Sequence, residues 1–438
     1  MSHQALPGFR DFFPDELAIR NHVFSAMRRV AGRYGFEEYD GPPLEGLELY
    51  TQKSGDEIVG QLYHFVDKGG REVALRPEMT PTLARMVATK LNGLKKPVRW
   101  FSIPQLFRYE RQQRGRLREH FQLNCDLIGE PGPLADAEII ALAIDVMREL
   151  GLGAADVRVR ISDRRLLGAI LDALDLGGPR APLAFQALDK LGRAEYAPRR
   201  AALLEAGADV ASLARLEGLG AITEWAALAR EFPGAVDVAA PFRATLDALE
   251  AMGLGGFLDL DLTIVRGLAY YTGTVFELFD AERKLRAICG GGRYDGLLAA
   301  LGGVDSPALG FGMGDVVLTE LLRDRGLLPE TPAVVDVFVA IVTPAERPPA
   351  LAAAHALRDA GYRVEFAMGE TALAKQLKLA SVRRARVAIV IGPDDVARGE
   401  AMVKDLVAGA QQAAPLAELV AAVGSMLDPG HRPSSTAV

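Results

Sequence analysis

The sequence is poor in cysteine and has no long apolar run. Its two cysteines, Cys125 and Cys289, stand far apart and form no Cys-x-x-Cys pair. This pattern argues against a zinc site or a disulfide framework, so we expect no metal held by side chains and a reducing compartment. The first residues, MSHQALPGFRDFFPDE, lack the apolar stretch of a secretory signal, and no segment is apolar for long enough to cross a bilayer. We therefore expect a cytoplasmic protein without membrane contact.

An excess of positive charge is also missing, because the formal net charge at pH 7 is −7. That balance argues against indiscriminate coating of nucleic acid. One segment opposes it: residues 107–122 read FRYERQQRGRLREHFQ, and five of the eleven residues from Arg108 to Arg118 are arginine. Arginines cluster where phosphate or carboxylate must be held, although a solvated helix face is the simpler explanation. The segment therefore indicates an anion site only if other residues support it.

The length of 438 residues predicts two or three domains. Residues 1–162 and 255–328 contain strand-like runs: LYHFVDKGGREVALRPE predicts a hairpin, Arg111 to Arg118 a loop between two antiparallel strands, and FLDLDLTIVRG a strand. Residues 163–254 are rich in Ala, Leu, Arg and Glu and predict a helical insertion with its own small core. After the proline-containing segment GLLPETPAVV, residues 333–425 alternate strand and helix, which is typical of a parallel sheet. Residues 426–438 predict a flexible tail. The predicted fold class is α+β: an antiparallel-sheet body with a helical insertion, followed by an α/β domain.

Polar and apolar side chains alternate along the predicted strand FQLNCDLIG. Gln122, Asn124 and Asp126 fall on one face of that strand. A buried polar row costs stability unless it has partners, so the row favours a wet or ligand-filled site over a solvent-facing sheet. Upstream, Glu78 and Thr80 share one face of an extended segment and could receive an ammonium group. Taken alone, an N-cap for the following helix explains them better.

Two further segments are poor material for a core. VRGLAYYTG places Arg266 in an apolar strand beside Tyr270 and Tyr271, which suits a charged ligand against an aromatic wall. GGGRYD, at residues 290–295, contains consecutive glycines, which often mark close approach of a ligand to the backbone. Its spacing fits neither a Walker loop nor a dinucleotide fingerprint. Together the four segments predict a pocket for a zwitterionic substrate and a nucleotide.

These segments resemble a known family. FRYERQQRGRLREHFQLNCD is similar to motif 2 of class II aminoacyl-tRNA synthetases, and VRGLAYYTGTVFE and GGGRYDGL resemble the two signature segments of histidyl-tRNA synthetases. LPGFRDFFP, LRPEMT, PPLEGLELY (similar to the dimer-forming motif 1), KQLKLA and VKDL fit the same family. The resemblance implies a catalytic body, with motifs 1 and 2 in residues 1–162 and the histidine-specific segments and motif 3 in residues 255–328. It implies an anticodon-binding domain at residues 333–425.

The activity implied by the resemblance is ATP-dependent ligation of L-histidine to its tRNA through a histidyl-adenylate, with release of AMP and pyrophosphate, by a homodimer that uses ATP with Mg²⁺. The residues at matching histidine-binding positions are Glu78, Thr80, Gln122, Asp126, Tyr270 and Tyr271. Those at matching ATP-binding positions are Arg108, Glu110, Arg116, His120 and Phe121. Arg108 and Arg266 are the implied catalytic residues, since fixed guanidinium groups stabilise charge that grows on the α-phosphate. Arg111 and Gln113 match positions that read the acceptor end of the tRNA.

The sequence departs from the family pattern in the nucleotide site. Val317 stands where motif 3 has an arginine that packs on adenine and the γ-phosphate. The order His120-Phe121 reverses the usual order, so either ring could stack on adenine. The GFGMGD segment at residues 310–315 is similar to a branch of the family that includes plant organellar enzymes.

A regulatory protein is the alternative: the histidine-sensing, synthetase-like subunit of ATP phosphoribosyltransferase. The missing motif 3 arginine favours it. The nearly complete histidine-specific segments, the arginines of the motif 2 loop and the C-terminal α/β domain favour the synthetase. Basic residues of that domain are candidates for the anticodon side, with a solvated helix face as the other explanation: Lys375, Lys378, Arg383, Arg384 and Arg386.

Overall fold

The chain forms two compact units, Met1–Pro329 and Glu330–Val438. A computed structural model describes residues 4–54, 60–90, 93–110, 113–265, 271–303, 305–329 and 334–427. The division falls between the predicted body, which ends at residue 328, and the predicted α/β domain, which begins at residue 333. Most of the predicted tail lies outside the described residues. Among the described residues there is no helix whose length and apolar character would let it span a membrane.

A large, mostly antiparallel sheet is the centre of the first unit. Its strands in the described residues are β1 (Glu37–Glu38), β5 (Val98–Ser102), β6 (Gln105–Phe107), β7 (Glu119–Ile128), β8 (Val157–Asp163), β9 (Leu258–Leu260), β10 (Thr274–Asp280), β11 (Cys289–Arg293) and β12 (Ala308–Gly314). The order across the sheet is β1-β5-β7-β12-β11-β10-β8-β9, and β6 pairs with β7. Only the outer pairs β1–β5 and β8–β9 are parallel. The predicted α+β class, with an antiparallel body, is confirmed.

The strand predicted from FLDLDLTIVRG is shorter than expected. It ends at Leu260 because the Asp261 carboxylate accepts the backbone N–H of Thr263 at 2.9 Å and its hydroxyl at 2.6 Å. The backbone N–H of Ile264 also donates to the carbonyl of Asp261. Such an Asx turn offers the backbone an alternative to the ladder.

A smaller sheet contains the predicted hairpin. It consists of β2 (Leu44–Gly46), β3 (His64–Val66) and β4 (Glu72–Leu75), with β4 in the middle. The turn between β3 and β4 is held by the Asp67 carboxylate, which accepts the backbone N–H groups of Gly69 at 2.8 Å and Arg71 at 2.9 Å. Gly70 has a φ of 77°, a conformation that glycine adopts without steric cost.

Helices cover the sheets of the first unit. Those of the body are α1 (Pro14–Arg33), α2 (Glu48–Ser54), α3 (Thr80–Lys90), α4 (Pro133–Glu149), α12 (Leu297–Gly302) and α13 (Asp315–Asp324). Those of the helical insertion are α5 (Arg164–Ala173), α6 (Ala181–Asp189), α7 (Tyr196–Glu205), α8 (Val210–Gly218), α9 (Trp225–Glu231), α10 (Pro233–Val238) and α11 (Ala240–Ala251). The prediction that the insertion has its own small core is wrong. Leu213 and Phe242 belong to the same contiguous core as Val159 of β8, because α5 follows β8 directly and α11 packs on α4.

The second unit has the predicted alternation of strand and helix. Its elements are β13 (Val337–Ile341), α14 (Arg347–Asp359), β14 (Val364–Phe366), α15 (Leu373–Val382), β15 (Val387–Ile391), α16 (Pro393–Ala397), β16 (Glu400–Asp405), β17 (Gln411–Pro415) and α17 (Leu419–Met426). Strands β14, β13 and β15 are parallel, as predicted. Strands β16 and β17, which pair antiparallel, were not predicted. For β17 the reason is its sequence, QQAAP, which lacks β-branched and aromatic residues.

Candidate active site

The polar row of β7 faces a pair of adjoining cavities. Gln122, Asn124 and Asp126 line them, whereas Leu123 and Cys125 are buried in the core. The predicted alternation along this strand is confirmed.

Glycines of the neighbouring strand β12 make room for these side chains. A Cβ at position 310 would lie 2.4 Å from Oδ1 of Asp126, and a Cβ at position 312 would lie 2.6 Å from Cδ of Gln122. Glycine at positions 310 and 312 therefore leaves room for the polar row, because a larger side chain there would displace Asp126 or Gln122.

The smaller cavity, of about 90 Å³, gathers groups suited to a zwitterion. Glu78 and Thr80 line it together with Asp126 and Tyr271. The Tyr294 hydroxyl, which the sequence analysis did not single out, also lines it and donates a hydrogen bond to Asp126 Oδ1. Asp126 is only 5% exposed, and its burial raises the pKa of the carboxyl to about 7, despite the opposing effect of the Tyr294 hydrogen bond.

The larger cavity, of about 450 Å³, is lined by cationic side chains. Arg108, Arg116 and Arg286 face it, with the carboxylates of Glu110 and Glu277. Arg116 forms an ion pair with Glu110. The loop that carries Arg116 is closed at its base by the backbone N–H of Arg108, which donates to the carbonyl of Arg118 at 2.9 Å. The described part of the arginine segment thus lies in a loop between antiparallel β6 and β7, as predicted.

Four residues line both cavities: Arg108, Gln122, Gly290 and Gly312. The Arg108 Nε donates to the carbonyl of Pro77 at 3.0 Å, which holds the guanidinium at the junction. A ligand in one cavity would therefore meet a ligand in the other beside Arg108.

His120 and Phe121 lie on opposite faces of β7. His120 lines the larger cavity, and its pKa is lowered to about 3 by burial and by the nearby charges of Arg108, Arg10 and Arg116. The ring of Phe121 instead packs edge-to-face on Phe24, with 5.3 Å between centroids, against the hydrophobic core. This corrects the alternative in which Phe121 stacks on adenine and leaves His120 as the candidate ring.

Not every predicted site residue can be located. Arg111, Arg266 and Tyr270 lie outside the described residues. Gln113 is exposed at the tip of the arginine loop, where its backbone N–H donates to the Arg116 carbonyl at 3.2 Å. Within the described ranges, no three His, Cys, Asp or Glu side chains gather closely enough to hold a metal ion.

The GGGRYD segment has a more structural role than its glycines suggested. A Cβ at position 291 would lie 2.4 Å from the Gly310 carbonyl oxygen, and one at position 292 would lie 2.5 Å from that of Thr274. These two glycines therefore allow close packing within the protein, while Gly290 lines the cavities. Arg293 is buried and forms an ion pair with Asp136 of α4 at 2.6 Å.

The large antiparallel sheet has an arginine-bearing loop between two of its strands and a glycine-rich strand that leads into a helix. This combination defines the class of the first unit: it is the catalytic body of a class II aminoacyl-tRNA synthetase. The sequence profile described as histidyl-tRNA synthetase matches residues 8–315, and the profile described as anticodon binding domain matches residues 336–426. The chain belongs to the histidyl-tRNA synthetase family and is an enzyme.

Individual relatives agree with this family. The chain is 47% identical to the histidine–tRNA ligase of Opitutus terrae, over 96% of this chain and 98% of the relative. It is 38% identical to the chloroplastic and mitochondrial histidine–tRNA ligase of Arabidopsis thaliana, over 94% of this chain and 85% of the relative. The crystal structure of histidyl-tRNA synthetase from a Nostoc species superposes with a TM-score of 0.82 at 25% identity, covering 97% of this chain and 99% of that chain. The predicted family resemblance is confirmed, and the regulatory alternative is not favoured.

Proposed function

We propose that this protein ligates L-histidine to its tRNA in two steps, forming histidyl-adenylate from ATP and then transferring histidine to the terminal ribose. The observation that carries the proposal is the position of Arg108 at the junction of a small polar cavity and an arginine-lined one. The carboxylate of an amino acid in the first cavity would meet the α-phosphate of a nucleotide in the second beside this guanidinium.

The polar groups that line the smaller cavity match the charges of histidine. Glu78 and Thr80 offer oxygen acceptors for the α-ammonium group, since both line the cavity near the start of α3. Asp126, already held by the Tyr294 hydroxyl, offers an acceptor for an imidazole N–H. Tyr271, which is 7% exposed, forms part of the wall. The predicted partner Tyr270 stays a prediction.

ATP fits the larger cavity. Arg108 and Arg116 are donors for phosphate oxygens, and the neutral ring of His120 is the candidate to stack on adenine. Mg²⁺ would arrive with the phosphates and shield their charge. The hard oxygen donors that this chain offers it in the same cavity are Glu110 and Glu277.

Catalysis follows from the fixed positions of these groups. The histidine carboxylate attacks the α-phosphorus, and negative charge grows on the phosphoryl oxygens in the transition state. Arg108, fixed by its bond to Pro77, stabilises that charge without reorganising. Holding the carboxylate and phosphate in neighbouring cavities removes much of the entropic cost of their encounter. A second guanidinium from Arg266 stays a prediction.

Contact with tRNA is proposed for two regions. Gln113, which is exposed in the loop between β6 and β7, would meet the acceptor end, as would Arg111 by its match to the family motif. In the second unit, Lys375 and Lys378 are exposed on α15 and would contact the anticodon side by charge. The homodimer stays a prediction.

Two assays test the function in order. Purified protein with Mg²⁺ should catalyse ATP–pyrophosphate exchange that depends on histidine, and should then charge a histidine tRNA transcript but not an unrelated transcript. Arg108→Ala should reduce exchange far more than it weakens histidine binding, because the lost contact strengthens in the transition state. Binding of histidine without exchange or charging would refute the proposal and favour the regulatory alternative.

A further inference from the structure

The larger cavity lacks a cation on the helix where the family pattern has one. Val317, in the first turn of α13, lines the cavity and is 7% exposed. Its isopropyl group cannot bind phosphate.

Arg286 lines the same cavity as Val317. It belongs to the connection between β10 and β11 and lines the same cavity as Arg116. A Cβ at position 115, at the tip of the motif 2 loop, would lie 3.2 Å from Cγ2 of Val317 and 3.8 Å from Cδ of Arg286. The stem of Arg286 and the side chain of Val317 therefore both approach the same point of the loop, each to within 4 Å.

Three other arginines at or near the cavity have partners among the residues that the structure describes. Arg116 pairs with Glu110, Arg108 donates to the Pro77 carbonyl, and Arg114 reaches Glu320 at 3.7 Å. Arg286, in contrast, has no hydrogen bond or ion pair with any other residue that the structure describes. Its five N–H donors remain available to a ligand.

The electrostatic surroundings of Arg286 favour an anion. Burial lowers the pKa of Arg116, and the nearby charges of Arg286 and Arg108 lower it further, so these guanidinium groups repel one another. Glu110 and Glu277 offset part of this charge. A polyphosphate bridging Arg116 and Arg286 would relieve the repulsion.

We propose that Arg286 replaces the missing motif 3 arginine and binds the terminal phosphates of ATP. The inference rests on the proposed function, because it assigns the larger cavity to ATP. It also explains how the site tolerates Val317: the cation is supplied from the β10–β11 connection instead of from α13.

The test compares Arg286→Ala with wild type and with a matched control, Arg323→Ala. Arg323 is an exposed arginine on α13 outside the cavity, so the control removes the same charge from the same unit. In histidine-dependent ATP–pyrophosphate exchange, Arg286→Ala should raise the KM for ATP about ten- to a hundred-fold, the range for a lost hydrogen-bonded charge. Arg286→Lys should fall between, since it keeps the charge but loses the planar fork. The control should stay within about twofold of wild type.

Calorimetric binding of a non-hydrolysable histidyl-adenylate analogue separates this role from a structural one. The analogue lacks the β- and γ-phosphates, so its affinity for Arg286→Ala should equal that of wild type. An unchanged KM for ATP, or equal losses for ATP and the analogue, would overturn the proposal while wild-type exchange still upheld the function. Absence of exchange in wild type would instead refute the function itself.

Discussion

The buried ion pair between Arg293 and Asp136 gives a prediction about stability. The two side chains are 3% and 4% exposed, and Nη2 lies 2.6 Å from Oδ2. The guanidinium also donates to the carbonyls of Glu130 at 3.1 Å and Gly132 at 3.2 Å, and to Asp295 Oδ1 at 3.2 Å. Asp136→Asn would leave the buried guanidinium without its main counter-charge.

Loss of one partner from a buried pair costs about 3–5 kcal/mol. Because three other acceptors still hold Arg293, we expect a loss at the lower end, about 3 kcal/mol, in the free energy of unfolding of the first unit. The two tryptophans, Trp100 and Trp225, both lie in that unit, so urea unfolding followed by tryptophan fluorescence reports on it selectively.

A control on the same helix isolates the effect of burial. Glu149→Gln removes an acid that pairs at the surface with Arg29 and Arg33 and should cost less than about 1 kcal/mol. Asp136→Leu combined with Arg293→Met removes both charges and should recover most of the loss, since no buried charge is then left unpaired; Asp295, which loses its bond to Arg293, is 42% exposed. A loss below about 1 kcal/mol for Asp136→Asn would refute the reasoning. So would a double variant less stable than Asp136→Asn.

Three further predictions concern the cavities. His120→Ala should raise the KM for ATP about tenfold, whereas His120→Phe should keep it near wild type. Burial lowers the pKa of His120 to about 3, so its ring stays neutral between pH 5 and 8. Wild type and His120→Phe should therefore show the same pH dependence of ATP binding over that range. Gly312→Ala places a Cβ 2.6 Å from Cδ of Gln122 and should weaken histidine binding severalfold in calorimetry. The control is Gly168→Ala, whose Cβ would meet nothing within 4 Å. Equal affinities of the two variants for histidine would contradict the packing argument. Histidine binding should strengthen as pH rises through about 7, where the buried Asp126 carboxyl loses its proton and becomes a charged, stronger acceptor. An equal rise in Asp126→Asn would assign the titration elsewhere.

The same Asp126 pKa has a consequence for folding. Its folded pKa is raised above the ordinary value of 3.8 because burial disfavours the carboxylate. The folded state therefore holds a proton that the unfolded chain has lost between these values. The resulting stabilisation is complete below the unfolded pKa and is lost as pH rises through about 7. Ionisation of Asp126 should therefore strengthen histidine binding over the same pH range in which the folded state loses this stabilisation.

Sequence reasoning succeeded where the pattern is local. The alternation of Gln122, Asn124 and Asp126 requires only that β7 be a strand, and one buried face then fixes which residues point inward. The arginine loop and the hairpin between β3 and β4 follow from equally local signals. The sequence leaves open which of His120 and Phe121 faces the cavity, because their order is reversed relative to the family pattern. Packing of Phe121 on Phe24 shows that His120 does.

Long-range partners could not be read from the sequence. Asp136 is 157 residues from Arg293, and nothing near either residue indicates the other. The insertion was expected to have a separate core because its composition differs from that of the body. Composition reports which residues are apolar but not which surface they cover, and the sheet face beside β8 was available to them.

The role proposed for Arg286 could not be predicted from a local pattern, because it depends on contacts that are distant in the chain. In sequence Arg286 lies in AERKLRAIC, where the charged residues predict a solvated turn. Arg286 and three of its neighbours are indeed exposed: Glu282, Arg283 and Lys284. Only pairing of β11 with β12 brings the end of this connection beside α13, which begins where β12 ends. The position that lost an arginine and the position that has one are 31 residues apart in the chain yet line one cavity. A family pattern read position by position therefore reports a missing contact, whereas the sheet brings a guanidinium into the same cavity from the neighbouring strand connection.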